Sequence, residues 1–85
     1  MARYFFHSED GHPHDDEQGL ELVDLSAARN EALRMLSDMI RGKPENVLDT
    51  GNFKIVVTDQ DRLHLFHVDV SIIDAPTVAR RPPSV

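Results

Sequence analysis

From Leu25 onward the chain carries apolar residues at helical spacing. With 100° per residue, Ala28, Ala32, Met35, Leu36 and Met39 all fall within about 80° of Leu25, and Leu33 and Ile40 border that stripe. Asn30, Glu31, Arg34 and Asp38 lie on the opposite side. The pattern predicts one amphipathic helix over residues 25–40. Asp24 offers a side-chain oxygen to the free N–H groups of its first turn, with Ser26 as the alternative cap. Ala28 and Ala32 permit close approach to a sheet. Gly42 suits a left-handed cap, Arg41 favours the negative helix end, and Pro44 stops continuation.

The other apolar segments have the period of strands. Residues 3–7 form an aromatic run without breakers, with Tyr4 and Phe6 on one face and Phe5 and His7 on the other. Large groups on both faces point to a central or doubly covered strand. Residues 8–18 read as a polar loop, and residues 19–23 as a short second strand that pairs antiparallel with the first. Residues 43–52 read as a polar linker holding Val47 and Leu48, with room for a short helical turn. Residues 53–59 and 63–72 read as a hairpin closed by Asp59, Gln60, Asp61 and Arg62. Pairing across that turn opposes Val57 with His64, Ile55 with Phe66 and Phe53 with Val68. Phe53, Ile55, Val57, Phe66 and Val68 then make the core face.

One helix cannot enclose a core by itself, so the strands must cover it. The expected fold is α+β: a two-layer ββαββ domain over residues 1–73, in which one helix packs on one face of a four-stranded, mainly antiparallel sheet. Strand order stays open. Residues 74–85 contain prolines and no periodicity, and read as a disordered tail.

RYFFH (residues 3–7), Asp10-Gly11, GLEL (residues 19–22), DLSAARNEAL (residues 24–33) and VTDQD (residues 57–61) together resemble a family of very short bacterial proteins of unknown function, common in alphaproteobacteria. The resemblance runs to about residue 70. It implies a small α+β domain and brings no activity, cofactor or catalytic residue. Gln18 departs from the family pattern, which usually has Glu there. The His12-Pro13-His14 insertion and the proline-rich end are individual to this chain.

Composition narrows the function classes. Eighty-five residues make one modest core, a size at which chains often gain stability from a partner or a second copy. There is no cysteine, hence no disulfide, thiolate metal site or thiol nucleophile, in keeping with a cytoplasmic setting. No run has the length of a signal peptide's apolar region or of a membrane span. Net charge is −6, and seven acids from Glu9 to Asp24 stand without a Lys or Arg among them. Such a surface repels phosphate backbones, so direct nucleic-acid binding is not expected. The plain reading of this charge is solubility; the sharper one is mimicry of nucleic acid toward a basic target, as in a phage or defence inhibitor.

His12, His14 and Asp15, with His7 at the end of the first strand, form the one metal-ligating constellation. Alternating imidazoles beside a carboxylate suit zinc, nickel or copper. Against that, ordering the loop costs entropy, and a solvated acidic loop explains the same residues. His64 and His67 fall on opposite faces of a regular strand and cannot chelate together. Ser8, Ser26, Ser37 and Ser71 lack the context of an activated nucleophile, and no phosphate-binding glycine loop is present.

Arg29 interrupts the apolar stripe at about 40° from Leu25. A buried guanidinium needs a partner, so an ion pair to Glu21, Asp24 or Asp16 is expected. Phe5, Val56, Leu63 and Leu65 lie on the sheet face without a cover and form the candidate interaction surface. These features together lead to a non-enzymatic protein-interaction or regulatory module without a cofactor, either a homodimer or an adaptor for another protein. A metal- or ligand-binding sensor built on the His/Asp loop is the alternative.

Overall fold

The computed structural model describes residues 1–79. Five strands, β1 (Ala2–Glu9), β2 (Pro13–His14), β3 (Leu20–Leu22), β4 (Asn52–Thr58) and β5 (His64–Ser71), form an antiparallel sheet. Its order is β2-β1-β4-β5, and β3 pairs with β1 on the same side as β2. Helix α1 (Leu25–Gly42) covers one face, followed by α2 (Pro44–Thr50) and, after β5, the single turn α3 (Pro76–Ala79). The two-layer α+β architecture is the expected one, and β1 is the central strand its aromatics suggested.

The core lies where the two periodicities meet. Tyr4 and Phe6 of β1 and Phe53, Ile55 and Val57 of β4 face Ala28, Ala32 and Leu36 of α1. Ala28 and Ala32 are wholly buried, which lets the helix backbone approach β4. Leu25, Met35, Met39 and Ile40 complete the helix stripe, and Phe66, Val68 and Val70 supply the β5 edge of the same layer. Asp24 caps α1 as expected, accepting the Ala27 N–H at 2.9 Å. On the solvent side Arg34 ties Glu31 to Asp38, the latter at 3.1 Å.

Four details differ from the sequence pattern. First, Gly42 stays helical and the break falls at Lys43, whose φ is −144°. A residue before proline is forced out of the helical region, and Lys43 precedes Pro44. Second, the expected polar linker forms α2, with Pro44 in its first turn and a left-handed Gly51 at its end. Burial of Val47 against the core holds this seven-residue helix in place.

Third, the hairpin register is shifted by two residues: Val57 pairs with Phe66, Ile55 with Val68 and Phe53 with Val70. The Asp59 carboxylate accepts the N–H groups of Asp61 and Leu63 at 2.8 and 3.0 Å, which lengthens the loop. An even shift leaves each side chain on its expected face. An irregularity between Val57 and Thr58 then pairs Thr58 with His64. This corrects the placement of the two histidines. They share the uncovered face, with ring centroids 5.5 Å apart. Fourth, Pro76–Ala79 makes a helical turn within the segment expected to be a structureless tail, proline being suited to a first turn. The rest of that segment, residues 80–85, lies outside the described residues.

Ile55 is 1% exposed between α1 and the flanking strands, whereas Leu33 is 54% exposed on α1. Ile55→Ala is therefore expected to cost about 2–5 kcal/mol in urea unfolding, and Leu33→Ala less than about 0.5 kcal/mol.

Candidate functional site

The distinctive local structure is the loop of residues 10–19, which folds over the free side of β1. In an antiparallel ladder, alternate residues turn their N–H and C=O groups to opposite sides. Ala2 and Tyr4 face β3, pairing with Leu22 and Leu20, and Ser8 faces β2, pairing with His14. Phe6 falls in the gap between these two short strands. Its N–H is taken by the Asp16 carboxylate, at 3.1 Å from Oδ2. The other oxygen, Oδ1, accepts the N–H groups of Gln18 and Gly19 at 3.1 and 3.0 Å. One carboxylate thus completes the strand edge and closes the turn that leads into β3.

Burial works to raise the pKa of Asp16. The N–H donors of Gly19, Phe6 and Gln18, with a smaller contribution from His7, outweigh it and hold the carboxyl below its ordinary 3.8. Gly19 adopts φ +71°, and a Cβ there would stand 2.9 Å from the Tyr4 carbonyl oxygen. Arg3 clamps the same turn from outside, donating to the Gln18 carbonyl at 2.7 Å and reaching Glu21 at 3.4 Å. Position 18 takes part through its main chain alone in these bonds, so Gln serves there as well as Glu would.

His7 lies on the uncovered sheet face beside this turn. Its Nδ1 accepts the Asp16 N–H at 3.2 Å, and Nε2 is 2.9 Å from Thr58 Oγ1. An accepting Nδ1 places the ring proton on Nε2, which donates to the threonine hydroxyl. The pair joins β1 to β4 across the uncovered face. A cleft of about 340 Å³ opens here, lined by Phe5, His7, Asp16, Glu17, Thr58 and Arg62 among others. A more open depression of about 500 Å³ lies on the helix side of the loop, between His14, Asp15, Asp16 and Glu31.

The metal candidates do not converge. Asp15 Oδ1 lies 3.7 Å from His7 Nδ1, and His14 Nε2 lies 3.8 Å from Asp10 Oδ1. His12 is exposed and its N–H turns to Asp10 Oδ1 at 3.4 Å. Among the described residues no three His, Cys, Asp or Glu side chains are grouped to hold an ion. The physical reason is that both His7 nitrogens are already engaged, while Pro13–His14 is paired to β1 as a strand.

Arg29 also differs from its expected role. Among the described residues it forms no ion pair with Glu21, Asp24 or Asp16. It is exposed, with its guanidinium 6.0 Å from the centroid of the Phe66 ring. The three acids are committed elsewhere: Glu21 to Arg3, Asp24 to the helix cap, Asp16 to the loop. An arginine at the stripe's margin keeps its head in water while its stem lies over the sheet.

The proposed interaction residues are spread out. Phe5 and Val56 are half-buried on the uncovered face. Between them, the cross-strand rows Phe5–Thr58–His64 and His7–Val56–His67 interleave polar groups. Leu63 and Leu65 are 62% and 39% exposed at the outer hairpin end. Sequence reasoning missed Asp16 as the loop's hub and Thr58 as the partner of His7. The first carried a signal, since Asp16-Glu17-Gln18-Gly19 has the spacing of a carboxylate that caps its own turn. The second depends on contact across 51 residues, and no local pattern encodes it.

The fold and this loop define a small two-layer α+β domain with a carboxylate-closed strand edge. The chain belongs to the family whose model is described as Domain of unknown function (DUF6894), which matches residues 3–71. No curated protein and no solved structure matches the chain. No helix among the described residues is long and apolar enough to cross a membrane.

Asp16→Asn retains an acceptor for Gln18 and Gly19 but turns an amide donor toward the Phe6 N–H. A loss of about 1–3 kcal/mol in urea unfolding is expected. The Asp16 pKa is depressed in the folded state, so its contribution is present above the unfolded value near 4 and is lost as pH falls through the folded one. Between pH 5 and pH 3 the wild type should therefore lose more stability than Asp16→Asn; parallel losses would assign the acid sensitivity to other carboxylates.

Proposed function

We propose that this domain is a non-enzymatic protein-interaction module that docks by adding a strand to the free edge of β5. The observation that carries this is the direction of the β5 backbone. The Ile72 N–H bonds the Gly51 carbonyl at 2.8 Å, so in this register the even-numbered residues of β5 bond toward β4. His67, Asp69 and Ser71 therefore turn their N–H and C=O groups outward, where among the described residues no strand follows in the sheet.

Unpaired edges of this kind are templates for another chain, and folded proteins commonly blunt them with lysine, proline or a covering loop. Residues 64–71 contain neither lysine nor proline. Exposed apolar side chains flank the edge at both ends: Leu63 and Leu65 at one, Ile72 and Ile73 at the other. In this reading Leu63 and Leu65 contribute to the docking edge. Phe5 and Val56 belong to the neighbouring face instead.

Backbone direction makes the proposal testable with proline. Asp69→Pro removes an outward N–H and spares the ladder to β4; Val68→Pro removes an inward one. The first variant should melt within a few degrees of wild type and the second should lose its folded circular dichroism. A tagged wild-type chain should retain a bound polypeptide, a second copy included, that Asp69→Pro releases. Equal retention by folded Asp69→Pro would overturn the reading.

A further inference from the structure

We infer that the chain docked on β5 is a second copy of this protein, paired antiparallel about a two-fold axis at Val68. The inference rests on the strand-addition reading above and names its partner.

Two-fold pairing joins residues whose numbers have a constant sum. For the outward-facing odd residues of both copies to bond one another, that sum must be even, so the axis passes through a residue. Three centres lie in the middle of the strand. An axis at His67 sets Asp69 against the partner's Leu65, a carboxylate against an apolar group. An axis at Asp69 sets two carboxylates face to face. An axis at Val68 sets His67 against the partner's Asp69, and Asp69 against the partner's His67. Imidazole then meets carboxylate twice on the uncovered face. On the helix side, Val68 meets the partner's Val68 and Phe66 meets the partner's Val70, adding cover to side chains that are only partly buried in one copy.

The same register accounts for the exposed apolar ends. Continued beyond the strand, it brings Ile73, 88% exposed, toward the partner's Leu63, 62% exposed. Leu65 comes to the partner's Ser71. The charge pattern of one sheet also carries on into the next. Glu9, Lys54 and Asp69 lie in one cross-strand row, acid, base, acid, and the partner's His67 continues it. The irregularity near His64 lies at the strand's outer end and leaves residues 66–70 in regular pairing.

The absence of cysteine permits a direct test. Val68 is a non-hydrogen-bonded position on the outer edge, where paired Cα atoms approach to about 4.5 Å, within disulfide range. Val68→Cys should form a covalent dimer on mild oxidation. Val70→Cys, whose copies would be separated by about 13 Å, should not. Sedimentation of the wild type should show a concentration-dependent dimer. Asp69→Lys should weaken that dimer at least about tenfold, and exchanging the two residues (His67→Asp with Asp69→His) should restore it.

A dimer that is indifferent to Asp69→Lys and links equally through both cysteines overturns the inference. So does a wild type that stays monomeric up to millimolar concentration. In the monomeric case, loss of a different captured protein by Asp69→Pro keeps the strand-addition reading and assigns the edge to a foreign strand. Retention of that protein removes both.

Discussion

The hydrogen bond from the Phe6 N–H to the Asp16 carboxylate joins the loop of residues 10–19 to the central strand of the sheet. β1 is central, and a central strand needs partners on both sides. β4 supplies one side continuously, from Phe5 to Glu9. The other side is divided between two short strands, β3 at one end and β2 at the other, which leaves Phe6 between them. A backbone donor without a partner there would weaken the strand that carries Tyr4 and Phe6 into the core. Asp16 fills the gap, and the same carboxylate fixes the turn into β3. The acidic loop is thereby an integral part of the sheet. Among the described residues no buried side-chain polar atom lacks a hydrogen-bond partner.

That arrangement makes the two edges of the sheet unlike. On the β1 side, Asp16, Arg3 and two short strands use the outward groups within the chain. On the β5 side, among the described residues, the outward groups of His67, Asp69 and Ser71 have no strand beyond them. A domain of this size has one helix layer to spend on one face, and it covers the middle of the sheet, where β4 is most deeply buried. The free edges of β2 and β3 are two and three residues long, whereas β5 runs for eight, and the proposed strand addition rests on that longer edge.

Much of the architecture was legible because it is encoded locally. The stripe Leu25, Ala28, Ala32, Leu36 and the Asp24 cap specify α1 whatever it packs against. The alternation in residues 53–57 specifies which side of β4 is buried. Even the two-residue register shift left the core face intact, because side chains in a strand repeat every two residues. What escaped was encoded by contact. Arg29 falls within the helix stripe on a wheel, yet at the sheet's margin its head reaches water beside Phe66. His64 and His67 come together through one irregularity in the ladder. His12 and His14 look like ligands when counted along the chain, but among the described residues they join no group of three His, Cys, Asp or Glu side chains.

By itself the sequence determined the main helix, the strands β1, β3, β4 and β5, the core faces of α1 and β4 and the two-layer class. These follow from periodicity, caps and prolines acting over a few residues. Only the tertiary structure decided strand order, the hairpin register and the role of Asp16. It alone also decided which backbone groups stay free on β5. Those depend on which N–H and C=O groups face one another across long loops, and hydrogen-bond direction in a sheet is set by the neighbouring strand rather than by the residue that carries it.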